Sequence, residues 1–177
     1  MAIRNIVTKG NEILSKKCKP VKEITPHIKD VMKDMVDTMN EAEGVGLAAP
    51  QIGIMKRFFV AMPYVDKEED DERRDEVFFM INPEILSQEG SQVSNEGCLS
   101  VPGYIGVVER PQKVRMKALD LDGNENEYEF EGFAATVVCH EYDHLEGRLY
   151  TDLATELMTN EEYAERLGKE EESSQEQ

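Results

Sequence analysis

Phe133-Ala134-Ala135-Thr136-Val137-Val138-Cys139-His140-Glu141-Tyr142-Asp143-His144-Leu145-Glu146-Gly147 is the stretch on which the reading of this chain turns. It reads as a helix over 133–146, with Gly147 as its stop. Inside it, His140-Glu141-Tyr142-Asp143-His144 forms an H-E-x-x-H. Residues four apart share one helical face, so both imidazoles can reach a single metal ion. Glu141 lies about 100° around the helix from His140, close enough to hold water at the metal without ligating it. Phe133 and Val137 fall on the stripe of His140 and His144, so the histidines continue a buried face. The chain has three histidines, and two of them stand in this motif around a glutamate. The remaining one, His27, reads as a surface or capping residue.

Two imidazoles do not complete a catalytic metal site, which usually takes three protein ligands and water. Two candidates stand for the third. One is Cys98, in Glu96-Gly97-Cys98-Leu99-Ser100, placed between turn-forming Ser94-Asn95 and an apolar strand-like run, with Gly97 permitting an unusual backbone beside it. The other is the Glu161-Glu162 pair, at the distance where thermolysin-like proteases place a glutamate. That pair belongs to a tail, 161–177, with seven acids against two bases. Such a tail reads as exposed, which favours Cys98. Cys139 points away from the His140 face and reads as packing.

Around this helix the pattern is mixed. Residues 25–43 predict a first helix, with Thr25 as N-cap, Pro26 at its first position and Gly44 closing its end. Ile28, Val31, Met32, Met35 and Met39 give it one apolar stripe for the core. Strands are expected at 57–62 and 77–82, separated by an acidic loop over 66–76. Segments 113–121 and 124–131 flank Asp122-Gly123, a two-residue hairpin signal. A last, mostly exposed helix is expected from Asn160. The fold class is α+β, without an internal repeat or a dividing linker.

Composition narrows the function. Of 177 residues, 40% are hydrophobic, enough for one domain core. Acids outnumber Lys and Arg by 37 to 20, a net charge of −17 that argues against direct nucleic-acid binding. No stretch approaches the roughly 18 apolar residues of a membrane span. The first residues lack the apolar centre of a secretion signal, and three cysteines make no disulfide framework. The expected compartment is the cytoplasm.

Three separated segments resemble one family, peptide deformylase. Gly44-Val45-Gly46-Leu47-Ala48-Ala49-Pro50-Gln51 resembles its G-x-G-L-A-A-x-Q segment, Glu96-Gly97-Cys98-Leu99-Ser100 its E-G-C-L-S, and His140–His144 its H-E-x-D-H. Ser100-Val101-Pro102-Gly103 is similar to the continuation in shorter members. The resemblance covers 1–155, taken as the catalytic domain, and leaves 156–177 as an acidic C-terminal helix or tail, partly disordered. It implies antiparallel sheets packed around the central helix carrying the motif. It further implies removal of the formyl group from the formyl-methionine of newly synthesised polypeptides.

The same resemblance assigns roles. Cys98, His140 and His144 would ligate one divalent ion, commonly Fe²⁺, with Zn²⁺, Ni²⁺ or Co²⁺ able to substitute. Glu141 would move the proton, and the Gln51 amide with the Leu99 N–H would stabilise the oxyanion. Val45, Gly46, Gly97, Phe133 and Val137 would bind substrate. Gly46 would let the peptide backbone approach closely, with the peptide pairing to that strand. A thiolate ligand makes an iron site oxidisable. Some members carry an arginine where Ile105 stands here, so that contact is absent or otherwise supplied; Arg110 could act structurally near Glu96. In some members a basic C-terminal helix docks on the ribosome. The run Glu170-Glu171-Glu172 predicts no such docking.

Overall fold

The computed structural model describes residues 2–65 and 68–175. Its first long helix, α1 (Pro26–Glu41), is opened by Thr25, whose side chain accepts from the Ile28 N–H at 3.2 Å. Val31, Met32, Met35 and Met39 are buried along one stripe, as the spacing predicts, and His27 is exposed. The end differs in detail. Glu43, not Gly44, takes the left-handed conformation, at φ 57°. Gly44 packs under Leu99: a Cβ there would lie 2.8 Å from Leu99 Cδ1, so that side chain would have to shift.

Strands β1 (Gly46–Ala48), β2 (Phe58–Ala61), β3 (Phe78–Glu89), β6 (Lys113–Leu119) and β7 (Glu125–Glu131) form one antiparallel sheet in the order β1-β2-β3-β6-β7. Strand β3 runs past the expected end at Asn82. Pro83 sits where the register shifts between Ile81 and Glu84, so its missing N–H interrupts no regular ladder. The β6–β7 connection is wider than the two-residue turn expected. The Asp120 carboxylate accepts from the N–H groups of Asp122 and Asn124 at 2.9 and 3.0 Å, building a five-residue loop with Gly123 at φ 80°. Part of the acidic loop, residues 66 and 67, lies outside the described residues.

Strands β4 (Gln92–Cys98), β5 (Val101–Arg110) and β8 (Glu156–Thr159) form a second antiparallel sheet, β4-β5-β8. Ser94 and Asn95, read from sequence as turn-forming, lie within β4. Residues 156–159, grouped with the tail in the sequence reading, pair with β5.

Helix α2 (Phe133–Leu145) packs on β1, β2 and β7 of the larger sheet and on β5 of the smaller. Every residue from Ala134 to Leu145 except Tyr142 is buried. A helix covered on nearly all sides is a core element, the central helix that the resemblance implies, and its covered surface is wider than the single stripe read from the periodicity. Strand β2 is likewise buried on both faces: Phe59 and Ala61 pack toward α2, Phe58 and Val60 toward α1. The α+β class, with antiparallel sheets around the motif helix, is the observed architecture. A short helix, α3 (Tyr150–Leu153), leads to β8, and α4 (Asn160–Gln175) follows it with no buried residue. Among the described residues no helix is long and apolar enough to cross a membrane.

Candidate active site

Cys98 ends β4 at a distortion of the β4–β5 pair. The register shifts between Glu96 and Cys98, where 102–105 of β5 stand against Gly97 alone. Such irregularities re-aim the strand end. Here the thiol comes 3.4 Å from His144 Nε2. Cys98, His140 and His144 each offer a ligand atom, all within 4.8 Å of one another, and they are the one such group found among the described residues. Glu161 and Glu162 are exposed on α4, outside it. The protease-type ligand set is therefore not assembled. Cys139 packs in the core, where burial pushes its thiol up to about 12.

The His140 imidazole is oriented from behind, whereas His144 Nδ1 is buried without a hydrogen-bond partner. Glu96 Oε1 accepts from His140 Nδ1 at 2.8 Å, which leaves Nε2 free to ligate. Arg110 grips Glu96 with two hydrogen bonds of 2.8 Å and reaches Asp143 at 2.6 Å. Burial would raise the Glu96 carboxyl, but the Arg110 and His140 hydrogen bonds override it and hold the group at about 2. Tyr150 stacks on His140 at 5.8 Å between centroids. A Cβ at Gly106 would lie 2.8 Å from that tyrosine ring, which explains the glycine. Burial first, and then the neighbouring His140 and Arg110, hold His144 well below the ordinary imidazole range, in the neutral form that donates a lone pair.

Gln51 sits on a short 3-10 turn, Ala49–Ile52. Its Oε1 accepts from the Ala48 N–H at 2.9 Å, which fixes the amide. One amide hydrogen goes to Ser100 Oγ at 3.0 Å, and the same nitrogen is 3.6 Å from Cys98 Sγ. Glu141 is buried, its Oε1 lies 4.0 Å from His140 Nε2, and its Oε2 has no hydrogen-bond partner. Burial pushes its carboxyl up to about 7, against the pull of His140.

Gly46 acquires a clear reason. A Cβ there would meet Glu141 Oε1, Cδ and Cγ at 2.7 to 2.8 Å, so the glycine makes room for the carboxylate. Gly46→Ala is expected to keep the fold and metal content but to lower kcat by about a hundredfold, as misplacing a reacting group by about 1 Å does. Metal analysis beside a rate measurement checks this; an unchanged rate would show that Glu141 tolerates displacement.

These residues line a cleft of about 570 Å³, with Val45, Gly46, Gln51, Gly97, Leu99, Phe133 and Val137 among its walls. Phe133 is 42% exposed, at odds with the buried stripe read from sequence. Sequence reasoning named Glu96 in its segment and as a neighbour of Arg110, quoted Ser100 and Asp143 within their motifs without giving them a role, and did not single out Tyr150 or Tyr163. An acid next to a glycine in a strand was the one available signal, for Glu96.

The donor chemistry fits a divalent cation: one soft sulfur and two imidazoles converge, with an unpaired buried carboxylate oxygen beside them. A helix-borne H-E-x-x-H joined to a cysteine from a neighbouring sheet defines a metal-dependent hydrolase.

The family model described as polypeptide deformylase matches residues 3–160. A peptide deformylase of Thermoanaerobacter pseudethanolicus is 47% identical over 92% of this chain and 96% of its own. Peptide deformylase 1 of Clostridium perfringens is 51% identical over 86% and 98%. The crystal structure of the Thermotoga maritima peptide deformylase is 36% identical, covers 88% of this chain and 100% of its own, and gives a TM-score of 0.79. The chain belongs to the polypeptide deformylase family. It is an enzyme, a hydrolase that removes N-formyl groups from nascent polypeptides.

Proposed function

We propose that deformylation takes place in the cleft at Cys98, His140, His144 and Glu141. The observation that carries this reading is the convergence of the three donors beside the unpaired Glu141 oxygen. A divalent cation held by the three donors supplies Lewis acidity and makes water nucleophilic near neutral pH. Glu141 accepts the proton of the attacking water and delivers it to the departing amine. The Gln51 amide, already fixed by Ala48 and Ser100, and the Leu99 N–H donate to the oxygen on which charge develops. Glu96 and Arg110 keep the His140 ring in place throughout.

The peptide enters as an added strand. Strand β1 is an edge of the larger sheet and β4 an edge of the smaller, and residues of both line the cleft. Phe133 and Val137 take the methionine side chain, with Val45, Gly46 and Gly97 around the backbone. Residues 1–155 carry this chemistry, and 156–177 form an acidic C-terminal segment whose first strand, 156–159, pairs with β5. The enzyme works in the cytoplasm on nascent chains, without direct nucleic-acid or membrane binding. The tail 161–177, seven acids against two bases, is repelled by ribosomal RNA and does not dock there.

The ion is Fe²⁺, one per chain, and Zn²⁺, Ni²⁺ or Co²⁺ can replace it. Mixed thiolate and imidazole donors accept all four. Fe²⁺ beside a thiolate is the combination that oxygen attacks. Activity in air is expected to decay faster for the iron form than for the nickel form. Equal decay rates would contradict an iron–thiolate site.

A further inference from the structure

Helix α4 is exposed at every described position except Tyr163. That residue lines the same cleft as Cys98, His140 and Glu141. Its placement is imposed by the sheet. Thr159, paired with Tyr104 of β5, accepts through its side chain from the Glu162 N–H at 3.2 Å. Arg166 forms an ion pair with Glu156 of β8. The first turns of α4 are therefore tied to the sheet that also carries Cys98. A lone helix of 16 residues is marginal in water, so these ties decide where it lies.

Phe133 and Val137 reach the cleft from α2, whereas Tyr163 reaches it from the last helix, carried by the sheet whose edge strand β4 receives the peptide. On β4 the Val93 side chain, 73% exposed, lines the same cleft. The partly covered Tyr163 ring leaves apolar surface that a ligand side chain can bury.

We propose that Tyr163 is a specificity-determining residue, packing against the side chains that follow the formyl-methionine and favouring large residues there over small ones. The inference rests on the reading of the cleft given above. It makes α4 part of the substrate site.

The test compares formyl-Met-Leu-Leu amide, formyl-Met-Ala-Ala amide and formyl-Met amide on the metal-loaded full chain, as wild type, Tyr163→Ala and Tyr163→Phe. Wild type is expected to favour the leucine peptide about fivefold in kcat/KM, through KM, a size that apolar contacts of this kind supply. Tyr163→Ala should erase that preference, Tyr163→Phe should keep it, and formyl-Met amide should react equally with all three proteins. A preference that survives Tyr163→Ala, or that wild type never shows, overturns the inference while leaving deformylation at this site intact. Absence of formate from all three substrates overturns the reading of the cleft and the inference together.

Discussion

Glu141→Ala is expected to lower kcat by about a thousandfold while the protein keeps its metal. The carboxylate is not among the three donors, so its removal leaves the ligand set complete. In the proposed mechanism it removes the group that takes a proton from water and returns it to the amine. The unpaired Oε2 shows why little stability is lost: no hydrogen bond in the fold depends on it. Burial holds this carboxyl at about 7, so folding is relieved of a costly buried acid. Metal analysis, a melting curve and a turnover assay separate the cases. Loss of metal with loss of rate would make Glu141 a structural support of the site.

Arg110→Ala should act the other way round, on stability first. Arg110 is 4% exposed and stands between Glu96 and Asp143, both nearly as buried. Removing it leaves two carboxylates without their buried cation, a change that costs about 3–5 kcal/mol. For a chain of this size the melting temperature should fall by roughly 10 °C. The pH dependence follows from Glu96, whose folded-state value is depressed to about 2 from 4.5. Its contribution is present above pH 4.5 and lost as pH falls toward 2. Without Arg110 the depression shrinks, so acid sensitivity should begin at higher pH. A variant with wild-type melting temperature and acid profile would remove Arg110 from the support of His140.

The two histidines of the candidate site were legible because local spacing encodes their meeting: His140 and His144 need only one helical turn. The motif helix was also legible, and the family resemblance set it between antiparallel sheets. Periodicity alone predicted one covered face, because sequence spacing carries no information on how many layers surround a helix. Cys98 was found by elimination and by resemblance, since its approach depends on the β4–β5 register shift. Strands β4 and β5 themselves were obscured by Ser94, Asn95, Pro102 and Gly103, turn-prone residues that the distortion accommodates. Glu96 and Arg110 lie 14 positions apart and become partners only through strand pairing. Tyr163 reaches the cleft by tertiary placement alone, and no local pattern in an acidic helix points to it.

Formate release from a formyl-methionyl tripeptide, by protein purified without oxygen and with its metal counted, tests the central claim most directly. The account predicts formate production that rises with metal content to one ion per chain and disappears in Glu141→Ala. No formate from the fully metallated wild-type protein would contradict it.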